Sequence, residues 1–119
     1  MLWAECGGLL WLSESLDGHR LAGVVAARAR MTERLTLGYR TATLQRGSPI
    51  AEAGAVLRGH EFHYSHLEPQ GDALDLRGHF GSGMAGFSSP TLLASYLHLH
   101  LGSTPELAMR FVGTAAGAG

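Results

Sequence analysis

"AECGGLLWL", residues 4–12, sets a cysteine against two glycines and a tight apolar run. In helical geometry Leu9, Leu12 and Leu16 share one face and Leu10 widens the stripe, until Asp17 and Gly18 stop it. Leu2, Trp3 and Ala4 suit the end of a buried strand, so the segment reads as strand, turn and helix with Cys6 at the turn. A thiol at such a turn has backbone N–H groups beside it that favour negative charge, and Gly7 and Gly8 leave its approach open. Gly7 is also placed to offer its N–H to an oxyanion. The competing reading is a packed, inert thiol; the nucleophile needs a base from elsewhere in the chain.

Working outward, "LAGVVAARA" (21–29) has the continuous apolar character of a buried strand, with a helical segment as the alternative. "RLTLGYRTATL" (34–44) alternates like a half-buried strand and "GSP" (47–49) breaks it. "AVLRGHEFHYS" (55–65) reads as extended, "HLEPQGD" as a loop, and "ALDLRGHFGSGMAGF" as short strand pieces. "TLLASYLHLH" (91–100) is the strongest strand candidate. "STPELAMRFV" opens a helix, capped by Ser103 with Glu106 or by Thr104 with Pro105 first inside; Leu107, Met109 and Phe111 are expected in the core. "GTAAGAG" (113–119) reads as a weakly structured tail. Several strands and two helices imply a mixed α/β domain.

The chain's 119 residues, 45% of them hydrophobic, fit a single domain. A formal net charge of −1 without a Lys/Arg block gives no electrostatic footprint for nucleic acid or an anionic membrane. The start "MLWAECGG" has no secretory pattern, and no run reaches the ~18 apolar residues of a spanning helix, so a cytoplasmic location is expected.

The base must come from seven histidines, His19, His60, His63, His66, His79, His98 and His100. His98 and His100 stand at the end of the strongest strand, where open parallel sheets commonly hold their sites, and a spacing of two puts both on one face. In "RGHEFHYSH" (58–66), an extended chain puts Glu61 and His63 on one face and His60, Phe62 and Tyr64 on the other, as a substrate pocket or as ordinary strand packing. Zinc held by Cys6 with two of His60, His63, His98 and His100 is a further alternative, but CxxC, HxxxH and HExxH spacings are all missing. "GSGMAG" lacks the lysine of a phosphate loop.

"AECGGLLWL", "MTERLTLGYR", "GHEFHYS", "GMAGF" and "ASYLHLHLGSTPELAMRFV" together resemble, in order and over nearly the whole chain, the C-terminal part of cobyrinic acid a,c-diamide synthases. These are cobalamin-pathway enzymes with a glutamine amidotransferase domain. The resemblance implies a truncated class I glutamine amidotransferase-like, flavodoxin-like α/β domain with a mixed sheet over residues 1–112, followed by a flexible tail, 113–119. It implies Cys6 as glutaminase nucleophile and His98 as its base, with His100 the less favoured match. Gly7 and Gly8, with His60 and Glu61, would serve the oxyanion or the substrate, and no metal is called for at the cysteine. Many related glutaminases carry a glutamate two residues after the histidine; here that position is His100, so the orienting group is unassigned. ATP and Mg²⁺ would be needed only by the family's N-terminal domain, which this sequence does not show. Glutamine and a corrin are the implied substrates. The alternatives are one half of a split amidotransferase completed by a complementary chain, and a non-catalytic homo-oligomer.

Overall fold

The computed structural model describes residues 1–79 and 81–117. Strand β1 (Leu2–Glu5) runs into the short helix α1 (Gly7–Leu12) through Cys6, as the opening motif predicts. The helix stops earlier than its apolar stripe suggests. Ser13 is buried, adopts an extended conformation, and gives both its N–H and its hydroxyl to the Leu10 carbonyl. Ser15–Leu16 is therefore strand β2 and pairs with β3 (His19–Arg20).

The apolar stretch 21–27 is a loop rather than a strand, largely exposed except at Val25 and Ala27. Val25 and Ala27 are buried in a cluster with Leu9 and Leu12, and the carbonyls of Trp11, Leu12 and Ser13 accept the N–H groups of Ala22, Val25 and Gly23. The free carbonyls at the end of α1 thus satisfy backbone that a sheet would otherwise have to pair.

The two long segments form an antiparallel ribbon, β4 (Arg28–Leu44) with β5 (Val56–Glu68). β5 runs on through His66–Glu68, where a loop is expected from the sequence, because these residues pair with Arg28–Arg30. The register slips between Met31 and Thr36, a bulge on β4. β6 (Leu74–Gly78) pairs with β4 and with β7 (Gly81–Ala85).

A second, smaller sheet places β9 (Leu92–Ser95) between β1, to which it is parallel, and β8 (Phe87–Ser89), to which it is antiparallel. Adjacent residues of β9 serve different cores. Leu93 packs with Leu44, Ile50, Leu74 and Leu107, whereas Ala94 packs with Leu9, Leu12 and Val25. A strand buried on both faces reads as a continuous apolar run.

The segment expected to be one strand over 91–100 is two. After Ser95 its hydroxyl accepts the Leu97 N–H, Leu97 enters the main core, and β10 (His98–Leu99) joins the other sheet beside β5. Periodicity does not reveal the change of sheet, because the run remains apolar across it.

Helix α2 (Pro105–Gly117) starts with proline in its first position, so Thr104 is the capping residue, with its carbonyl taking the Leu107 N–H. The expected weakly structured tail is corrected for residues 113–117, which continue this helix; its alanines are strong helix formers, and residues 118–119 lie outside the described residues. Leu107 is buried and Phe111 packs against Trp3, but Met109 is 74% exposed. It lies about 200° round the helix from Leu107, so the expectation that it is core fails on the 3.6-residue period.

β10 sits so close to β5 that a methyl group added at Gly59 would collide with the His98 carbonyl oxygen. Gly59→Ala is expected to lower unfolding free energy by about 1–3 kcal/mol in urea titrations, while Gly47→Ala, which points into open space, stays within about 0.5 kcal/mol of the parent. Equal stability of the two variants would show that the β5–β10 contact is looser than described.

Candidate active site

Cys6 sits where β1 gives way to α1, with φ of 51° and ψ of −107°, a region that side chains other than glycine seldom occupy. Its N–H continues the parallel ladder by donating to the Ser95 carbonyl at 2.8 Å. Strain at this residue is thus held in place by the sheet on one side and the helix on the other. Gly7 has open space around its Cα, and Gly8 packs tightly enough that a methyl group would press on Ala4. The two glycines therefore do different things: Gly7 leaves room above the thiol and Gly8 lets α1 close on β1.

The thiol donates to the Phe62 carbonyl of β5, with sulfur and oxygen 3.7 Å apart. Burial pushes the Cys6 thiol up from its ordinary value, the Gly7 N–H draws it down, and the charges of Glu5 and Glu61 push it up further. The expectation that the turn lowers this pKa is therefore corrected, because desolvation and two carboxylates outweigh one backbone donor. A resting thiolate is disfavoured, and the sulfur needs a base as it reacts.

β1 and β9 are parallel, so Cys6 and the segment 96–98 both leave the small sheet at the strands' C-terminal ends. His98 is half-buried on β10, opposite His60, and the two rings stack with centroids 4.9 Å apart and 11° between planes. Its Nδ1 lies 3.9 Å from Glu5 Oε2, while Glu5 Oε1 accepts the Leu99 N–H at 3.2 Å. His100 falls beyond the end of β10 and is exposed; its carbonyl accepts from Ser103 and Thr104 at the start of α2. The shared strand face expected for the two histidines is lost because the strand ends at Leu99.

The alternation read in residues 58–66 holds. Glu61 and His63 face inward; His60, Phe62 and Tyr64 face the other way. Arg40 on β4 is buried and donates through Nε to Glu61 Oε2 at 3.0 Å, and through Nη1 to the Tyr39 carbonyl. His63 lies 3.4 Å from the other Glu61 oxygen and stacks on Tyr96, centroids 3.5 Å apart, while the Tyr96 hydroxyl meets Ser65 Oγ at 2.8 Å. Burial would raise the Glu61 pKa, but the His63 bond and the charges of His63 and Arg40 outweigh it and hold this carboxyl below its ordinary value.

Arg40, Glu61, His63 and Tyr96, with Arg34 and Met84 among others, wall an open cavity of about 380 Å³ whose lining does not include Cys6, His60 or His98. Cys6 stands against the same strand at the Phe62 carbonyl, within the fields of Glu61 and Tyr96. Glu5, Arg40 and Tyr96 were not singled out from the sequence. Glu5 lies inside the opening motif, but only the fold shows that it meets residues 98–99. Among the described residues, no group of three or more His, Cys, Asp or Glu side chains is placed to hold a metal.

A family model described as the CobB/CobQ-like glutamine amidotransferase domain matches residues 1–106. The chain is 44% identical over 122 aligned residues to a cobyrinate a,c-diamide synthase of a Synechococcus strain, covering 92% of this chain and 26% of the relative. It is 46% identical over 111 residues to a hydrogenobyrinate a,c-diamide synthase of Streptomyces coelicolor, covering 92% and 23%. A cobyrinate a,c-diamide synthase of Methanothermobacter thermautotrophicus is 39% identical over 120 residues, covering 96% and 27%. The chain thus spans about a quarter of the length of the curated relatives it matches.

The Arg40–Glu61 pair makes a pH-dependent contribution to stability. A carboxyl held below its ordinary value of 4.5 stabilises the fold above that value, and the contribution disappears as pH falls through the lower value in the folded state. Glu61→Gln strands a buried guanidinium and is expected to cost about 3 kcal/mol at neutral pH. Denaturant titrations at a series of pH values should show this gap narrowing on acidification below 4.5; a gap that does not change with pH contradicts the pairing.

Proposed function

This chain belongs to the CobB/CobQ-like glutamine amidotransferase family, and we propose that it is the glutaminase portion of a corrin a,c-diamide synthase, hydrolysing glutamine to supply ammonia. The observation that carries the reading is the strained Cys6 turn at the end of β1, brought by the parallel β1–β9 pairing to the end of the sheet from which His98 departs.

Cys6 Sγ attacks the side-chain amide carbon of glutamine while His98 takes the thiol proton. The Gly7 N–H, which already acts on the sulfur, is positioned to stabilise the oxyanion, and Gly8 keeps that turn tight. His98 then protonates the departing nitrogen, ammonia leaves, and a thioester remains. Water, deprotonated by His98, adds to the thioester; collapse releases glutamate and returns the proton to sulfur. The raised thiol pKa fits this order, in which the proton leaves as the carbon–sulfur bond forms. His60 supports the His98 ring on the outward face of β5, while Glu61, held by Arg40 and His63 on the inward face, fixes the strand whose Phe62 carbonyl meets the thiol and presents a carboxylate beside the glutamine site.

The ammonia would amidate carboxylates of a corrin of the cobyrinate or hydrogenobyrinate kind, for which the relatives are named. Activation of those carboxylates with ATP and Mg²⁺ falls to the part of the relatives' length that this chain does not span, and a cytoplasmic site of action suits that chemistry. Among the described residues β1 has β9 as its partner and nothing on its outer edge, which favours neighbouring strands there, supplied by a longer polypeptide, a complementary chain or a further copy. Among the described residues, no helix is long and apolar enough to cross a membrane.

In an assembly that amidates a corrin, Cys6→Ala should abolish glutamine-dependent turnover and leave turnover with free ammonium unchanged. Equal retention of both activities sinks the assignment. The chain by itself is expected to release little glutamate from glutamine, since Gly7 supplies one oxyanion donor and the want of a second alone costs about a hundredfold. Rapid release that depends on Cys6 would show that no added strands are needed.

A further inference from the structure

The glutaminase reading leaves His98 without the carboxylate that orients such a base, because the second residue after it is His100. The geometry points to Glu5, the residue immediately before the nucleophile, as the positioning residue for His98. Its two oxygens address β10 at adjacent places. Oε1 accepts the Leu99 N–H at 3.2 Å, which fixes the carboxylate against the strand, and Oε2 is 3.9 Å from His98 Nδ1. One face of the ring is covered by His60, stacked 11° from parallel, so the imidazole has a stacked neighbour that sets its plane and a carboxylate beside Nδ1.

The consequence is a choice of tautomer. A carboxylate facing Nδ1 favours the proton on that nitrogen and leaves Nε2 as the basic one, ready to accept from the thiol. When His98 becomes imidazolium during attack, the same carboxylate stabilises the new positive charge and shortens a contact that is long in the resting state. Glu5 also acts on the sulfur, since its charge raises the Cys6 pKa. It therefore disfavours a thiolate without its imidazolium partner and favours transfer coupled to attack.

This inference rests on the glutaminase reading for its meaning, but its test has a part that does not. With ring nitrogens labelled, long-range ¹H–¹⁵N spectra of the chain, taken where His98 is neutral, report which nitrogen carries the proton. The expected result is Nδ1–H in the parent and a shift towards Nε2–H in Glu5→Gln, whose amide N–H₂ faces Nδ1 while its oxygen remains available to Leu99. Nε2–H in the parent overturns the proposal without any variant, and so does an unchanged His98 spectrum in Glu5→Gln with the backbone amide spectrum intact.

In the corrin-amidating assembly, Glu5→Gln should lower kcat for glutamine hydrolysis about a hundredfold with KM for glutamine within about twofold. Ammonium-dependent turnover should be preserved. Unchanged kcat dismisses Glu5 while leaving Cys6 and His98 in place. Hydrolysis that survives Cys6→Ala dismisses the glutaminase reading instead, and the nitrogen spectra still decide whether Glu5 sets the tautomer.

Discussion

The parallel ladder between Leu2–Glu5 and Leu92–Ser95 is the constraint on which the site depends. It is short, and its last rung sets Glu5 opposite Ser95, so the Cys6 N–H reaches the Ser95 carbonyl. One strand then turns into a helix and the other turns towards a different sheet. Just past that final rung lie the thiol on one side and Tyr96 and His98 on the other. Because β9 is buried on both faces, the ladder cannot slip by a residue without exchanging Leu93 and Ala94 between two cores.

β5 supplies the other half of the arrangement by presenting two unlike faces to its neighbours. Inward, Glu61 is tied to Arg40 and His63, and His63 lies flat on Tyr96, so the cavity wall is held by charge and ring stacking together. Outward, His60 stacks on His98, while Phe62 and Tyr64 continue an exposed apolar face with Leu37 and Tyr39 of β4, the last of these 85% exposed. Between the faces, the Phe62 carbonyl accepts the thiol. One strand therefore touches the nucleophile through its backbone, the base through one side chain and the cavity through others.

Alternation carried most of what was legible in the sequence. Residues 34–44 and 55–65 announce strands with a distinguishable inside and outside, and the split of Glu61 and His63 from His60, Phe62 and Tyr64 follows from it directly. The strand, turn and helix around Cys6 were readable because two glycines and an apolar stripe adjoin the cysteine. Continuous apolar runs concealed the rest. Val25 and Ala27 owe their burial to packing on α1 and not to a ladder, and residues 92–99 change sheets without a glycine or proline to mark the switch. Arg40 carries no distinguishing signal in the sequence, since only the fold pairs it with Glu61 and buries it. The carboxylate nearest His98 was legible as a residue but not as a partner, since chain spacing cannot show that position 5 meets positions 98 and 99.

The same ladder has a bearing on how the molecule is made. Leu2 pairs with Leu92, and between them lies the whole β4–β5–β6 meander, so residues 2–5 emerge from the ribosome long before the strand that receives them. The meander is built from nearer neighbours, whereas closing β1 onto β9 requires a loop of some ninety residues. Leu9 and Leu12 of α1 have Val25, Ala27 and Leu67 to pack on before that closure, but β1 itself does not. The interval before closure is the one in which β1 is open to chaperones or to other nascent chains.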